Sequence, residues 1–190
     1  MKAHVLLYDN FCVFEIAMTL GWLSKFEVET VALEAREYPS DCGLKVRPDR
    51  VISNIDVLPD LLVITGGNPG KYLESLPAPV SSEPLMEYIR KMVSLERHVA
   101  AICGGPEFLA RAGVLKGRRC THGFEKGLPS CFEGSIVVDE PVVVDGRIIT
   151  ARGNAFLRFG LTIMDHMHLF DSQEERDNDI AWISKACEFP

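Results

Sequence analysis

An open α/β fold, with a mostly parallel central sheet and helices on both faces, is predicted by three features of this chain. Short runs rich in Val, Ile and Leu recur along it, stretches of helical period separate them, and one strong two-residue hairpin signal, Asp145-Gly146, lies between apolar triplets. Length sets the scale. A chain of 190 residues with 47% hydrophobic content can build one domain's core and is too short for two ordinary domains.

Short apolar runs rich in Val, Ile and Leu are how strands of a sheet covered on both faces read, and they place strands at Ala3–Tyr8, Val28–Leu33, Leu61–Thr65, Val99–Ile102 and Ile148–Thr150. Helices are expected near Glu15–Ser24, Pro84–Val93, Pro106–Ala112 and Phe156–Phe170. Ser82 serves as a candidate cap for the second, where proline fits the first turn. Two antiparallel pairs are expected. One joins Leu44-Lys45-Val46 to Val51-Ile52 around Pro48-Asp49-Arg50, and the other joins Val142–Val144 to Arg147–Ile149 around Asp145-Gly146. Pro77–Pro84 reads as a loop, because the helical pattern resumes directly after it. Residues 1–170 then form the α/β domain. Residues 171–190, a polar break followed by the amphipathic Ile180-Ala181-Trp182-Ile183, form an extension packed on that domain or on a second subunit.

Charge narrows the partners. A net charge of −7 argues against nucleic acid or an anionic membrane, and the short basic clusters Arg90-Lys91 and Lys116–Arg119 read as solvated helix ends or loops. The six cysteines, at 12, 42, 103, 120, 131 and 187, contain no CxxC pair, so no structural metal and a reduced, cytoplasmic protein are expected. The apolar run after Met1 is too short for a signal segment, and no stretch reaches the length of a membrane span.

In open α/β folds the chemistry gathers at the carboxyl ends of the strands. That rule collects Tyr8-Asp9-Asn10, Gly66-Gly67, Cys103 and Ala151-Arg152-Gly153 on one rim. Cys103 ends a buried run and precedes Gly104-Gly105-Pro106 and a helix, and Ala101 and Gly105 are small enough for a sharp nucleophile elbow. The helix N-terminus and its free N–H groups are expected to favour thiolate over thiol. The same pattern also fits an inert core cysteine in a tight turn. Gly66-Gly67 offers backbone donors for an oxyanion, or a simple turn into Asn68-Pro69-Gly70. Glu15 would start a helix beside apolar side chains. Burial would raise its pKa and leave it a proton to share with a thiolate, or it answers the helix dipole. His122 follows a return of the chain to the same rim and is a candidate acid or base, or a structural loop histidine. His4 and His98 fall in strands and His166 and His168 in a helix. Cys120 with His122 lacks a third metal ligand.

Taken in order, Val5-Leu6-Leu7 with Glu15, Leu62–Gly70, Ala100–Pro106, Thr121-His122 and Asp145–Gly153 make the chain resemble the ThiJ/PfpI superfamily over residues 3–165. That superfamily includes the parkinsonism-associated protein deglycase and has a class I glutamine amidotransferase-like fold. The resemblance implies a flavodoxin-like three-layer sandwich, a homodimer, and no cofactor or metal. It also implies Cys103 as nucleophile, Glu15 as partner acid, His122 as third polar group, and Gly66, Gly67 and Gly104 as backbone donors. Arg152 and Asn68 are carried as pocket residues. The activity implied is glyoxalase III or deglycase-like, on small reactive carbonyls. The alternatives are an oxidative-stress sensor or chaperone working through Cys103 oxidation, and a hydrolase or hydratase on another small electrophile. Gly104 stands where PfpI-type proteases carry histidine, and a His-x-Glu motif of amidotransferases is lacking, so neither of those chemistries is expected. Asn154-Ala155-Phe156 replaces the Pro-Gly-Thr-like stretch of the deglycase's close relatives.

Overall fold

The computed structural model describes residues 1–124 and 127–186. The chain runs β1 (Lys2–Leu6), α1 (Phe14–Leu23), β2 (Glu27–Ala32), β3 (Tyr38–Pro39), β4 (Lys45–Val46), β5 (Arg50–Val51), β6 (Leu61–Ile64), α2 (Pro69–Glu74) and α3 (Glu83–Ser94). It continues with β7 (His98–Ile102), α4 (Pro106–Arg111), β8 (Arg119–Cys120), β9 (Ile136–Val137), β10 (Val142–Asp145), β11 (Ile148–Ala151), α5 (Phe156–His166) and α6 (Gln173–Ala186). The central sheet has seven strands in the order β10-β11-β7-β6-β1-β2-β5, and every pair is parallel except β10 with β11.

Period-2 alternation in the apolar runs fills two cores. Leu62, Ile64, Val99 and Ala101 face the layer containing Leu85, Ile89 and Met92 of α3 and Phe108 of α4. Val63, Ala100, Ile102, Ile149 and Ala151 face the other layer, with Ile16 and Leu23 of α1 and Phe159 and Ile163 of α5. Two helical layers around a sheet give the predicted three-layer sandwich.

Several local expectations are corrected. Val46 pairs backwards with Tyr38, and Val51 joins the edge of the main sheet beside Ala32, so residues 44–52 are not a hairpin. Pro48 and the Asp49 side chain explain the difference. The Asp49 carboxylate accepts the Thr30 N–H at 2.7 Å and its hydroxyl at 2.6 Å, which draws the following strand alongside β2. Ser82 makes no capping bond, and Ser81 Oγ accepts the Glu83 N–H instead. The helix that starts at Phe156 ends at His166, and His168 takes a φ of +54°, so residues 167–170 are not helical and the two histidines do not share a helix. A short helix, α2, forms where a turn was expected, because Asn68 Oδ1 caps it by accepting the Lys71 N–H at 2.9 Å.

The extension lies against α1 and α5. Trp22 Nε1 donates to Asp179 at 2.8 Å, Arg176 grips Asp165 at 2.6 Å, and Ile183 is buried. Cys187 and the rest of residues 187–190 lie outside the described residues. No described helix is long and apolar enough to cross a membrane.

The turn that ends β7 depends on Gly105, where a Cβ would stand 2.7 Å from Thr65 O and 2.9 Å from Ile102 O. Both neighbours are backbone atoms of the sheet and cannot yield cheaply. Gly105→Ala is expected to destabilise the fold by about 1–3 kcal/mol in urea unfolding. Gly21→Ala, on an open face of α1, is expected to stabilise it by about 0.5–1 kcal/mol.

Candidate active site

Cys103 occupies the turn between β7 and α4 with a φ of +60°, a conformation that costs a side-chain-bearing residue on the order of 1–3 kcal/mol. Neighbouring backbone holds it there. Its N–H donates to Ala151 O at 2.8 Å, and its carbonyl accepts the Gly123 N–H at 2.6 Å. Three chain segments approach so closely that they admit no side chain. A Cβ on Gly123 would stand 2.8 Å from Cys103 Sγ, one on Gly153 would stand 2.6 Å from Glu15 Oε1, and one on Gly66 would stand 2.7 Å from Cys103 Cβ. Gly153 was gathered on the rim with Ala151 and Arg152 but given no role of its own, and Gly123 was not singled out. Their signal was position, each directly following a polar candidate, His122 or Arg152.

Glu15 arrives from α1. It falls at i, i+4, i+8 with Thr19 and Leu23 on the helix's buried stripe and is 4% exposed. The helix start has no cap of its own, and Asp41 supplies one from a distant loop. Its Oδ1 accepts the Val13 N–H at 3.2 Å and its Oδ2 accepts the Cys12 thiol at 3.2 Å. Burial pushes the Glu15 pKa up, outweighing its contacts with the Cys103 and Cys12 thiols and the Gly66 N–H. Glu15 Oε2 is buried without a well-formed hydrogen bond.

The thiol behaves differently from the sequence expectation. Burial first, and then the negative charge of Glu15, push the Cys103 pKa up to about 12, while the N–H groups of Gly104 and Gly67 pull weakly the other way. The helix behind it has only six residues. Its dipole is outweighed by a desolvated site and a carboxylate neighbour. Thiol and carboxyl therefore titrate as a coupled pair in which the thiol keeps its proton through neutral pH. Gly67 and Gly104 aim their N–H groups at the sulfur, whereas Gly66 turns its own toward Glu15.

His122 lines the same cavity, a space of about 700 Å³ that also contacts Glu15, Cys103, Phe124 and Arg152. Its Nδ1 accepts the Phe124 N–H at 3.0 Å, which leaves Nε2 to carry the proton of the neutral ring. Burial and the Arg152 charge both lower its pKa, so the neutral ring prevails at pH 7. Arg152 reaches the cavity while paired to Asp139, and Asn154 and Phe156 border it, so the segment that departs from the deglycase pattern forms part of the wall. Asn68 does not reach it. Its side chain is committed to the α2 cap and faces a separate cavity with Arg36 and Tyr72. Among the described residues, no three His, Cys, Asp or Glu side chains converge as metal ligands.

A thiol, a buried carboxyl of raised pKa and a neutral imidazole around one cavity suit covalent addition to a small electrophile, with short proton transfers. The model of the DJ-1/PfpI family matches residues 1–166. An uncharacterized protein of Methanocaldococcus jannaschii is 32% identical over 168 residues, covering 83% of this chain and 73% of that protein. A deglycase of Thermococcus kodakarensis is 28% identical over 155 residues, covering 80% of this chain and 90% of its own. An isonitrile hydratase of Pseudomonas putida is 28% identical over 151 residues, and the match spans 78% of this chain and 62% of that enzyme's length. Among solved structures, a DJ-1 superfamily protein of Salmonella typhimurium superposes with a TM-score of 0.78 at 24% identity, covering 96% of this chain and 97% of that one. The family match over nearly the whole sandwich, with both the elbow and the Glu15 helix inside it, bears out the resemblance read from the sequence: the chain belongs to the DJ-1/PfpI family.

Proposed function

We propose that the protein is a cysteine-dependent enzyme acting on small reactive carbonyls, converting a 2-oxoaldehyde to the corresponding 2-hydroxy acid. The observation that carries this reading is the coupled thiol–carboxyl pair, Cys103 with Glu15, opening on one cavity with His122. Glu15 takes the thiol proton as the sulfur bonds to the aldehyde carbon. The carbonyl electron pair moves onto oxygen, which receives that proton to give a thiohemiacetal. Glu15, a carboxylate again, then removes the hydrogen of the former aldehyde carbon as a proton, leaving an enediolate, and returns it to the neighbouring carbonyl carbon, while the proton of the thiohemiacetal hydroxyl passes to that neighbour's oxygen. His122 donates a hydrogen bond from Nε2 to that carbonyl's oxygen as charge builds there. The product is a thioester, which water hydrolyses to release the acid and the thiol. One carbon is oxidised, its neighbour is reduced by the same amount, and one water is consumed, so no external oxidant or reductant is needed.

The isonitrile hydratase relative supports a second reading, in which the same sulfur adds to an isonitrile carbon. A Cys103 adduct with an isonitrile, together with inert dicarbonyls, would favour it. The thiol's pKa of about 12 weighs against a peroxide sensor, because the thiolate is the oxidised species.

Cys103→Ser is expected to abolish formation of lactate from methylglyoxal, followed by enzymatic assay of the acid. Persistent lactate in that variant would remove the mechanism.

Glu15→Gln separates catalysis from stability. Activity should fall about 10²–10⁴-fold with loss of the proton carrier. Stability should move the opposite way. A carboxyl whose folded pKa is raised contributes stability that is present below its ordinary value and lost as pH rises through the folded value. At neutral pH the amide removes that loss, so thermal unfolding should show a higher Tm.

The pH profile follows from the coupled pair. kcat/KM should rise as the pair loses its first proton, above the usual carboxylate range, and then stay level until the second leaves near 12. A profile falling already between pH 7 and 9 would contradict a shared proton.

A further inference from the structure

We infer that this cavity is shaped for electrophiles carrying an aromatic ring, so that aryl-substituted 2-oxoaldehydes are preferred over methyl-substituted ones. The inference rests on the proposed addition of Cys103 to a 2-oxoaldehyde and names the substrate class.

Phe14 is 57% exposed, and it is the only phenylalanine among the described residues on the exposed side of the boundary. Phe11, Phe108, Phe132 and Phe159 are buried to 3% or less. An exposed ring immediately before the buried Glu15 forgoes the burial that drives such residues inside. Its one aromatic contact is Phe156 of α5, edge to face, with centroids 5.7 Å apart. Both rings line the cavity that holds Cys103. Phe124, from the segment after β8, lines it too and leans on His122 at 5.4 Å. Three rings from three separate elements thus surround a nucleophile, which is a costly arrangement for a substrate whose only substituent is a methyl group.

Volume agrees with the rings. About 700 Å³ falls within the range of roughly 300–1,000 Å³ that takes drug-sized ligands, far more than a three-carbon dicarbonyl fills. Among the described residues, the charged side chains on the wall are Glu15, committed to the thiol, and Arg152, paired with Asp139. The remaining surface thus favours an uncharged, planar apolar group with edges and faces for aromatic contact.

The test uses the two hydroxy-acid products, mandelate and lactate, whose binding does not depend on turnover, together with phenylglyoxal and methylglyoxal as substrates. Calorimetry should show mandelate binding at least about tenfold tighter than lactate, since a ring contact adds about that factor. Phe14→Ala should shrink both the mandelate-to-lactate ratio and the phenylglyoxal-to-methylglyoxal ratio of kcat/KM. Phe14→Leu, which keeps the apolar bulk, should shrink them less. The ratio between enzyme forms cancels the intrinsic reactivities of the aldehydes. Equal affinity for the two acids overturns the inference even where methylglyoxal is turned over through Cys103. A mandelate preference without dicarbonyl turnover sustains the aromatic site and sinks the proposed reaction instead. If Phe14→Ala leaves both ratios unchanged and alters the oligomeric state, Phe14 belongs to a subunit contact and the inference fails.

Discussion

The left-handed turn at Cys103 is the constraint on which the rest of the site depends. A side-chain-bearing residue holds that conformation only when its surroundings over-determine it, and here they do so through Ala151 at the end of β11 and Gly123 after β8. Those strands are themselves fixed by the register of β11 on β7, which aligns Ala151 with Ile102. The strain at one residue is thus balanced by parallel pairing across the middle of the sheet. The close approach of Gly66, Gly123 and Gly153 follows from the same geometry, because each segment must come near enough to enclose the sulfur.

Enclosure decides the electrostatics. Taking a thiol and a carboxylic acid out of water penalises both charged forms, and the charge on Glu15 raises the pKa of the thiol further. The backbone donors of Gly67 and Gly104 are too few to reverse this. The pair therefore does not store a free thiolate. It holds the thiol's proton beside a carboxyl, and in the proposed reaction the nucleophile is generated as the carbon–sulfur bond forms. His122, kept neutral by burial and Arg152 and with Nδ1 already engaged, enters as a hydrogen-bond donor rather than a base.

Most of this architecture was legible in the sequence, because buried parallel strands must be written as runs rich in apolar residues, as β6, β7 and β11 are at the centre of the sheet and β1 and β2 are in part. Asp145-Gly146 marked the one antiparallel pair in the main sheet. The segment around Pro48 misled because its pattern of short apolar runs about a turn is local, whereas its partners, Tyr38 and Ala32, are selected by tertiary contacts. Asn68 shows a related ambiguity. A polar residue beside Gly66-Gly67 fits a pocket wall and a helix cap equally well on paper, and the cap won because α2 starts there. The direction of the Cys103 shift was illegible for a different reason. A helix N-terminus can be read from spacing, but desolvation and the nearness of a carboxylate brought in by α1 from a distant part of the chain cannot.

Glu15 shows how such a group is held in place. α1 is apolar nearly throughout, and its buried stripe includes a carboxylate that packing alone would expel. Its position is enforced from both ends. Asp41 ties down the helix start through Val13 and Cys12, and at the far end Trp22 is bonded to Asp179 and Lys25 is paired with Asp171 and Glu175. The contacts near the C-terminus thereby bear on the site, although they lie outside the family match, which ends at residue 166. An exposed ion pair contributes little by itself, yet several that fix one helix restrict where its buried acid can go. The acidic extension is thus best understood through α1: it holds the helix that carries both the buried Glu15 and the exposed ring of Phe14.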